Sequence, residues 1–229
     1  PGGEWVPKVN FGTSWYYTEG SEYISDDWKS PEFDVSAWPT GHTPIGFGDD
    51  DDMTIIDPVF SIFMRINFEI EDIENIIYGL LHMDYDDGFV VYINGDEVLR
   101  ENLGEPNTYV PYDQFAETNV EANIYRGLKP RKFFIDTIKD HLVVGENVLA
   151  LQVHNATENL TDLTALPVLS FYVSEPPEPS ETSEVIIKIN TDNYPEETSW
   201  QLMGINGTTF YDNISEGALT LDNVYEWSL

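Results

Sequence analysis

The dipeptide Asn94-Gly95 constrains the fold of this chain more than any other feature of its sequence. A type I′ turn needs positive φ at both of its central residues, and Asn followed by Gly accepts this at low cost. Residues 89–93, before the turn, form an apolar and aromatic run, and an extended run resumes at residues 97–100. The sequence therefore predicts a β-hairpin centred on this dipeptide.

Acidic residues lead into this hairpin. Asp84, Asp86 and Asp87 lie just before Gly88 and supply the hard oxygen ligands that calcium prefers. Aspartates at such a position are equally suited to accept hydrogen bonds from backbone N–H groups of the loop. The sequence leaves both roles open, and the predicted cofactor is a structural Ca²⁺ ion.

A second acidic run consists of four consecutive aspartates at residues 49–52. Adjacent carboxylates repel one another unless solvent or a cation intervenes. A solvated acidic loop is one interpretation of this run. A second cation site, with Asp49 and Asp51 among its ligands, is the other.

Composition limits the class of protein. The chain has 229 residues, of which 41% are hydrophobic and 14% aromatic, so it can bury a core. It has no cysteine, which excludes disulfides and thiolate metal sites. With 10 basic and 42 acidic residues, its formal charge of −32 disfavours nucleic acid and anionic membranes as partners. No apolar run approaches the roughly 18 residues that membrane insertion requires. The printed sequence does not open with a signal-peptide pattern, and we expect a mature chain or a fragment of a larger protein.

Alternation of apolar and polar residues predicts strands along most of the chain, and no long helical periodicity appears. We therefore expect an all-β protein in which residues 1–173 form one β-sandwich domain, for which the resemblance given below implies a jelly roll. Residues 174–184 are rich in Pro and Glu and predict a semi-rigid linker. Residues 185–229 predict a small β module.

An ordered set of motifs carries a family resemblance. The central motif is the hairpin, Asp86-Asp87-Gly88 with Val90-Val91-Tyr92-Ile93-Asn94-Gly95 and then Arg100 and Asn102. Before it come Trp15-Tyr16-Tyr17 and residues 33–38 and 41–49. After it come residues 145–155 and 161–163. Together they resemble a galactose-binding-like jelly-roll module of secreted, often marine, bacterial multidomain proteins. The resemblance covers roughly residues 10–173 and implies a β-sandwich with an extracellular or cell-surface location.

The C-terminal segment resembles the start of a small β module of secreted bacterial proteins. The family pattern continues beyond the strand that begins near Val224, whereas this sequence stops at Leu229. Either the module is truncated, or a neighbouring chain supplies a missing strand, since open sheet edges recruit strands.

Candidate ligand residues lie in two polar segments. Tyr109 and Tyr112 belong to a long connection, residues 103–130, and Trp28 belongs to an earlier loop-rich stretch. Aromatic faces beside polar groups are typical of sugar recognition, although such rings can equally pin a loop to the sandwich. Arg100 and Asn102 match the family pattern as ligand candidates. We expect Arg100 to pair with a carboxylate inside the fold before it holds a ligand.

No catalytic motif of useful specificity occurs, and we expect no enzymatic activity. The leading hypothesis is a non-catalytic, calcium-stabilised module that binds a polysaccharide or glycan within a larger secreted or cell-surface protein. The alternative is a structural or adhesive unit of a surface protein or filament that assembles through strand edges. Its partners would be other domains of the parent protein or a strand-completing neighbour chain.

Overall fold

The structure is a computed structural model that describes residues 2–48, 52–158, 160–174, 186–190, 201–203, 209–212 and 224–228. The chain divides into two compact units, Pro1–Glu175 and Pro176–Leu229. The described residues form strands and two short 3-10 helices, which confirms the all-β prediction. Among these residues, no helix has the length and apolar character needed to cross a membrane.

Twelve strands are described in the first unit. They are β1 (Glu4–Val9), β2 (Ser14–Glu19), β3 (Thr40–His42), β4 (Ile45–Phe47), β5 (Thr54–Ile55), β6 (Ser61–Ile70), β7 (Ile76–Tyr85), β8 (Gly88–Ile93), β9 (Asp96–Glu101), β10 (Arg131–Ile135), β11 (Gly145–His154) and β12 (Leu163–Val173). The 3-10 helices span Ile124–Arg126 and Ile138–His141.

Two sheets make the sandwich. The first has the order β10-β7-β12-β4-β5, with β1 also paired to β12, and the second has the order β3-β2-β6-β11-β8-β9. The long central strands are antiparallel: β11 pairs β6 from Gly145↔Ile70 to His154↔Ser61, and β8 lies on its other side. The jelly-roll β-sandwich predicted from the sequence is the observed architecture.

The core between the sheets follows from the two-residue period of the strands. Alternate residues of β8 and β11, namely Phe89, Val91, Leu149 and Leu151, belong to the main core and are at most 1% exposed. Their neighbours in sequence point to the outer face of the second sheet. The sandwich core therefore accounts for six of the ten apolar residues on these two strands.

The hairpin forms where Asn94-Gly95 predicts it. Strands β8 and β9 are antiparallel, and the two turn residues have φ angles of 52° and 96°. Positive φ at both positions explains why this dipeptide, and not a β-branched pair, closes the hairpin.

The outer face of the second sheet carries a second hydrophobic cluster. Phe63, Val90, Tyr92, Val148 and Ala150 rise from the sheet and are covered by Trp28, Leu103 and Val110. The covering residues come from two loops, residues 20–39 and residues 102–117, which we call the first and second groove loops.

Four short strands are described in the second unit. β13 (Ile186–Asn190) pairs β16 (Val224–Ser228), and β14 (Gln201–Met203) pairs β15 (Thr209–Asp212). The strand expected to begin near Val224 is thus present. The linker, apart from Ser174, lies outside the described residues, and both the domain boundaries and the truncation of this module stay predictions.

Candidate functional site

A groove of about 360 Å³ lies between the two groove loops on the outer face of the second sheet. Three of the predicted ligand residues, Trp28, Tyr109 and Tyr112, line it together. They are far apart in sequence, and the second hydrophobic cluster brings their loops to one surface. The chain therefore gathers its candidate sugar-contacting aromatics in one concave place.

The three aromatic residues of the groove differ in what they can offer a ligand. Trp28 is only 3% exposed, with Trp38 stacked on it at 6.2 Å and with Phe63 and Tyr92 meeting it edge-on. Tyr112 is half-buried at the edge of the same cluster. Tyr109 is 69% exposed, so its ring is the accessible aromatic face of the groove.

Polar residues line the rest of the groove. They are Ser21, Asp26, Lys29, Asp96, Glu97, Asn107, Thr108 and Gln152. Burial raises the pKa of the Tyr109 hydroxyl, and the negative charges of Asp26 and Asp113 raise it further. Glu97 is paired with Arg100, and the remaining carboxylates, Asp26 and Asp96, outnumber Lys29 and make the lining acidic. Such a surface is poorly suited to carboxylated or sulfated ligands.

A buried arginine holds each wall of the groove. Arg65, on β6, is 2% exposed and donates from one guanidinium nitrogen to the carbonyl oxygens of Trp28 and Ser30 in the first groove loop. Its guanidinium also lies 5.4 Å from the centre of the Phe33 ring. Burial lowers the pKa of Arg65.

Arg100 holds the second groove loop in the same manner. It forms a bidentate ion pair with Glu97 at 2.6 and 3.0 Å, and the two side chains are 3% and 10% exposed. It also donates to the carbonyl oxygens of Leu103 and Thr108, at 2.9 and 2.7 Å. The carboxylate partner expected for Arg100 is thus Glu97, and Arg100 lies behind the groove wall.

Asn102, the first residue of the second groove loop, contacts a different place, the hairpin mouth, which we define as residues 84–88 with the segment 118–124 that packs on them. Its amide nitrogen donates to the carbonyl oxygens of Asp87 and Thr118, at 3.0 and 2.6 Å. Its amide oxygen accepts from the Thr118 hydroxyl at 2.9 Å. In this structure Asn102 clamps the two sides of the mouth and does not line the groove.

Aspartates of the mouth hold backbone N–H groups. Both oxygens of Asp84, which is fully buried, accept at 2.8 Å from the N–H groups of Asn123 and Ile124, where the first 3-10 helix begins. Asp87 accepts from the N–H groups of Val120 and Ala156, both at 2.7 Å. These contacts are the capping role that the sequence left open, and coordination of Ca²⁺ by Asp84 and Asp87 stays a prediction.

Asp86 joins a cluster that could hold a metal ion. It accepts a hydrogen bond from the N–H of Ala122, and one carboxylate oxygen each of Asp86, Glu121 and Asp162 lie within 4.8 Å of one another. Burial raises the pKa of the neighbouring Asp87, and the charges of Asp162 and Glu121 raise it further against the hydrogen bonds from Val120 and Ala156. Asp86 is the predicted ligand that belongs to this cluster. Glu121 and Asp162 were not identified from the sequence as ligands.

The second predicted cation site cannot be located, because Asp49 and Asp51 lie outside the described residues. Their assignment stays a prediction.

Gln152, which lines the groove, and His154, which contacts it, were missed as functional candidates from the sequence. Gln152 is 3% exposed and lines the groove. His154 is fully buried, with Nδ1 2.8 Å from the carbonyl oxygen of Gln114 and Nε2 2.9 Å from Oε1 of Gln152. The signal available in the sequence was a polar residue, Gln152, two places before the end of an otherwise apolar strand. Burial lowers the pKa of His154 to about 4, a shift that the positive charge of Arg100 favours while the carbonyl of Gln114 and the charge of Asp113 oppose it.

Comparison with known proteins gives no family. No protein-family profile and no curated protein matches the chain. Solved structures with similarity include a calcium-binding mutant of Bacteroides uniformis β-glucuronidase 2 (TM-score 0.47, 14% identity, 99% of this chain and 28% of that one). A family 2 glycosyl hydrolase from Bacteroides cellulosilyticus has a TM-score of 0.49 and 15% identity over 99% of this chain and 31% of its own. A β-glucuronidase from an uncultured Clostridium species has a TM-score of 0.48 and 13% identity over 97% of this chain and 39% of its own.

These three enzymes are much longer than the chain, which spans 28 to 39% of their lengths. The similarity is too low for function to be transferred.

Proposed function

We propose that the chain is a non-catalytic, extracellular carbohydrate-binding module, and that the groove is its ligand site. The observation that carries this proposal is the convergence of Trp28, Tyr109 and Tyr112 on one groove that also holds side-chain amides and carboxylates. An exposed aromatic ring beside such groups can stack on the C–H face of a sugar while its hydroxyls are hydrogen-bonded.

The ligand class that fits this groove is a neutral polysaccharide. A uronic acid or sulfate group would meet the charges of Asp26 and Asp96 at close range, with Lys29 as the cation among the lining residues. The formal charge of −32 on the whole chain adds a long-range repulsion of the same sign.

Electrophoresis through gels that contain one polysaccharide each tests this function. The panel is galactomannan, xyloglucan and laminarin as neutral polymers, with alginate and carrageenan as anionic ones. We expect retardation by a neutral polymer and its loss in Tyr109→Ala. Tyr23→Ala is the matched control, because Tyr23 is 86% exposed and does not line the groove. Failure of every polymer to retard the native protein would refute the proposal.

We further propose that Ca²⁺ binds at the cluster of Asp86, Glu121 and Asp162. Calcium takes six to eight oxygen ligands at about 2.3–2.6 Å, and three carboxylates supply part of such a shell. Its role there is structural, since the cluster lies at the hairpin mouth and not in the groove. We therefore expect a chelator to lower the melting temperature of the protein and to leave its retardation by the polysaccharide unchanged.

A structural or adhesive unit is the second proposal, and one surface favours it. The outer face of the first sheet exposes Phe134 and Tyr78, which are 61% and 42% exposed, and Trp5 and Tyr172 pack beside them with ring centres 5.4 to 6.1 Å apart. Among described residues, β10 pairs only with β7, so Phe134 lies on an edge strand. Concentration-dependent association that Phe134→Lys abolishes would support this function over the first.

A further inference from the structure

Gln152 is the groove residue whose chemistry is set most closely by its surroundings. It extends from β11 on the outer face of the second sheet, between Ala150 below and His154 above. The structure places the amide oxygen, Oε1, 2.9 Å from His154 Nε2, and the hydrogen-bond partners decide whether oxygen or nitrogen belongs there. The other end of the amide has no hydrogen-bond partner among the described residues, and Gln152 lines the groove.

The hydrogen bonds of His154 determine which end of the amide faces the groove. The Gln114 carbonyl oxygen is only an acceptor, so Nδ1, 2.8 Å away, must carry a proton. In a neutral imidazole the other nitrogen, Nε2, is then only an acceptor. Nε2 therefore needs a donor, and the Gln152 amide provides one when its NH₂ group faces the ring.

This orientation leaves the amide oxygen at the groove. The oxygen and nitrogen of a glutamine amide exchange places by a 180° rotation that moves no other atom, so their partners decide the arrangement. We infer that Gln152 presents its carbonyl oxygen to the groove as an acceptor for a sugar hydroxyl, and that His154 is the positioning residue that holds it in this orientation.

The neutral state of His154 agrees with its surroundings. Its ring is buried, the charge facing it from β9 is Arg100, and the charge facing it from the second groove loop is Asp113. Phe63 packs against it with ring centres 6.4 Å apart. Burial outweighs the single carboxylate, and its pKa of about 4 leaves the ring uncharged at neutral pH.

The inference rests on the proposed function, because it assigns a specific contact within the same groove. A sugar hydroxyl donates to an acceptor that is already fixed, so little side-chain entropy is lost on binding. A site built to accept from one hydroxyl also rejects a sugar that lacks it, because the buried acceptor would then be unpaired.

Two substitutions separate this role from simple packing. Gln152→Met keeps the length of the side chain and removes the acceptor, and we expect at least a tenfold loss of affinity in the polysaccharide gels. Gln152→Glu keeps an oxygen facing the groove while its second oxygen accepts from a protonated His154, and we expect retardation within threefold of the native protein. A purely packing role predicts the reverse order, since methionine packs well and a buried carboxylate does not.

The control is Gln114→Met, the same change at a residue that does not line the groove and whose backbone carbonyl is retained. Equal retardation of the native protein and Gln152→Met would overturn the role of Gln152 and leave the proposed function intact. No retardation of the native protein by any polymer would overturn the proposed function and, with it, the assigned contact.

Nitrogen-15 NMR of the imidazole rings tests the orientation without a ligand. The His154 signals are identified by their absence in His154→Gln. At neutral pH we expect Nδ1 to be protonated and Nε2 to be unprotonated. A proton on Nε2, alone or with one on Nδ1, would place the NH₂ group at the groove and overturn the acceptor assignment whatever the gels show.

Discussion

The hairpin mouth and the groove are two polar regions at opposite ends of the same β8–β9 hairpin, and they use their polar groups differently. At the mouth, Asp84 and Asp87 direct their carboxylate oxygens to four backbone N–H groups. In the groove, backbone groups of the walls are held from behind by Arg65 and Arg100. The side chains of Tyr109 and Gln152, which face the groove, take no part in holding these backbone groups.

This difference teaches how similar residues acquire different roles. A carboxylate that accepts two backbone hydrogen bonds stabilises a loop, and its removal leaves buried donors unsatisfied. A polar side chain whose loop is already held can contact a ligand at little cost to the fold. Substitutions at the mouth should therefore affect stability, and substitutions in the groove should affect binding.

The largest effect is expected for Asp84→Ala. Two N–H groups at the start of the 3-10 helix lose a charged, fully buried acceptor. We expect the free energy of unfolding to fall by about 3 kcal/mol, measured by urea denaturation. The control is Asp72→Ala, because Asp72 also accepts from a backbone N–H but lies on an exposed turn. A loss at Asp84 no greater than that at Asp72 would contradict the comparison.

His154 should give the next largest effect, seen as a pH dependence. Its folded pKa of about 4 lies below the ordinary value of 6.5, so the unfolded chain binds more protons between these values. The stability it contributes is present above pH 6.5 and is lost as the pH falls through this window. Between pH 7 and pH 5 the loss is about 2 kcal/mol.

Urea denaturation at both pH values measures this slope. Between pH 7 and pH 5, His154→Gln should lose about 2 kcal/mol less of its free energy of unfolding than the native protein loses. His42→Gln, at an exposed position, should retain the full slope. Equal slopes for the native protein and His154→Gln would show that burial does not lower the pKa of His154 below its value in the unfolded chain.

Calcium should have a smaller effect. At a free concentration tenfold above its dissociation constant, an ion that binds only the folded state adds about 1.4 kcal/mol. Since the raised pKa of Asp87 destabilises its ionised form, stability without calcium should fall as the pH rises through that folded pKa. The gain in melting temperature on adding Ca²⁺ should therefore be larger at pH 7 than at pH 4.

The variant Asp162→Asn should reduce this calcium response, and Asp136→Asn, at an exposed position outside the cluster, should not. A melting temperature unchanged by calcium and by chelator at both pH values would show that no calcium ion stabilises the hairpin mouth.

The smallest effect on stability belongs to Tyr109→Ala. Its ring is 69% exposed, so the free energy of unfolding should change by less than about 0.5 kcal/mol. The same substitution should abolish retardation by the polysaccharide that binds the native protein. A destabilisation comparable to that of Asp84→Ala would mean that the groove, like the mouth, serves the fold.

Local chemistry explains what could be predicted from the sequence. The hairpin followed from the positive φ angles that Asn94 and Gly95 accept, and the strands followed from alternation. The aromatic ligand candidates Tyr109 and Tyr112 could be named because their segment is long, polar and aromatic. The sequence could not show which backbone groups Asp84 and Asp87 contact, since their partners at the mouth are 33 to 69 residues away along the chain.

Gln152 illustrates the remaining gap. In the sequence it lies in an apolar strand and gives the appearance of a core position. Both faces of the second sheet are covered, one by the first sheet and the other by the groove loops, so the strand is apolar on both sides. Only the position of the two loops shows that this glutamine lies at a ligand-accessible floor.

The arginine contacts with the groove loops also bear on how such a site can change during evolution. Arg65 and Arg100 bind main-chain carbonyls of Trp28, Ser30, Leu103 and Thr108, and these carbonyls are present whatever side chains the positions carry. Mutations at the lining positions can therefore alter ligand preference while the loop backbones keep their course. The proposed ligand site is accordingly a scaffold whose lining could be varied in a randomised library without rebuilding the protein that supports it.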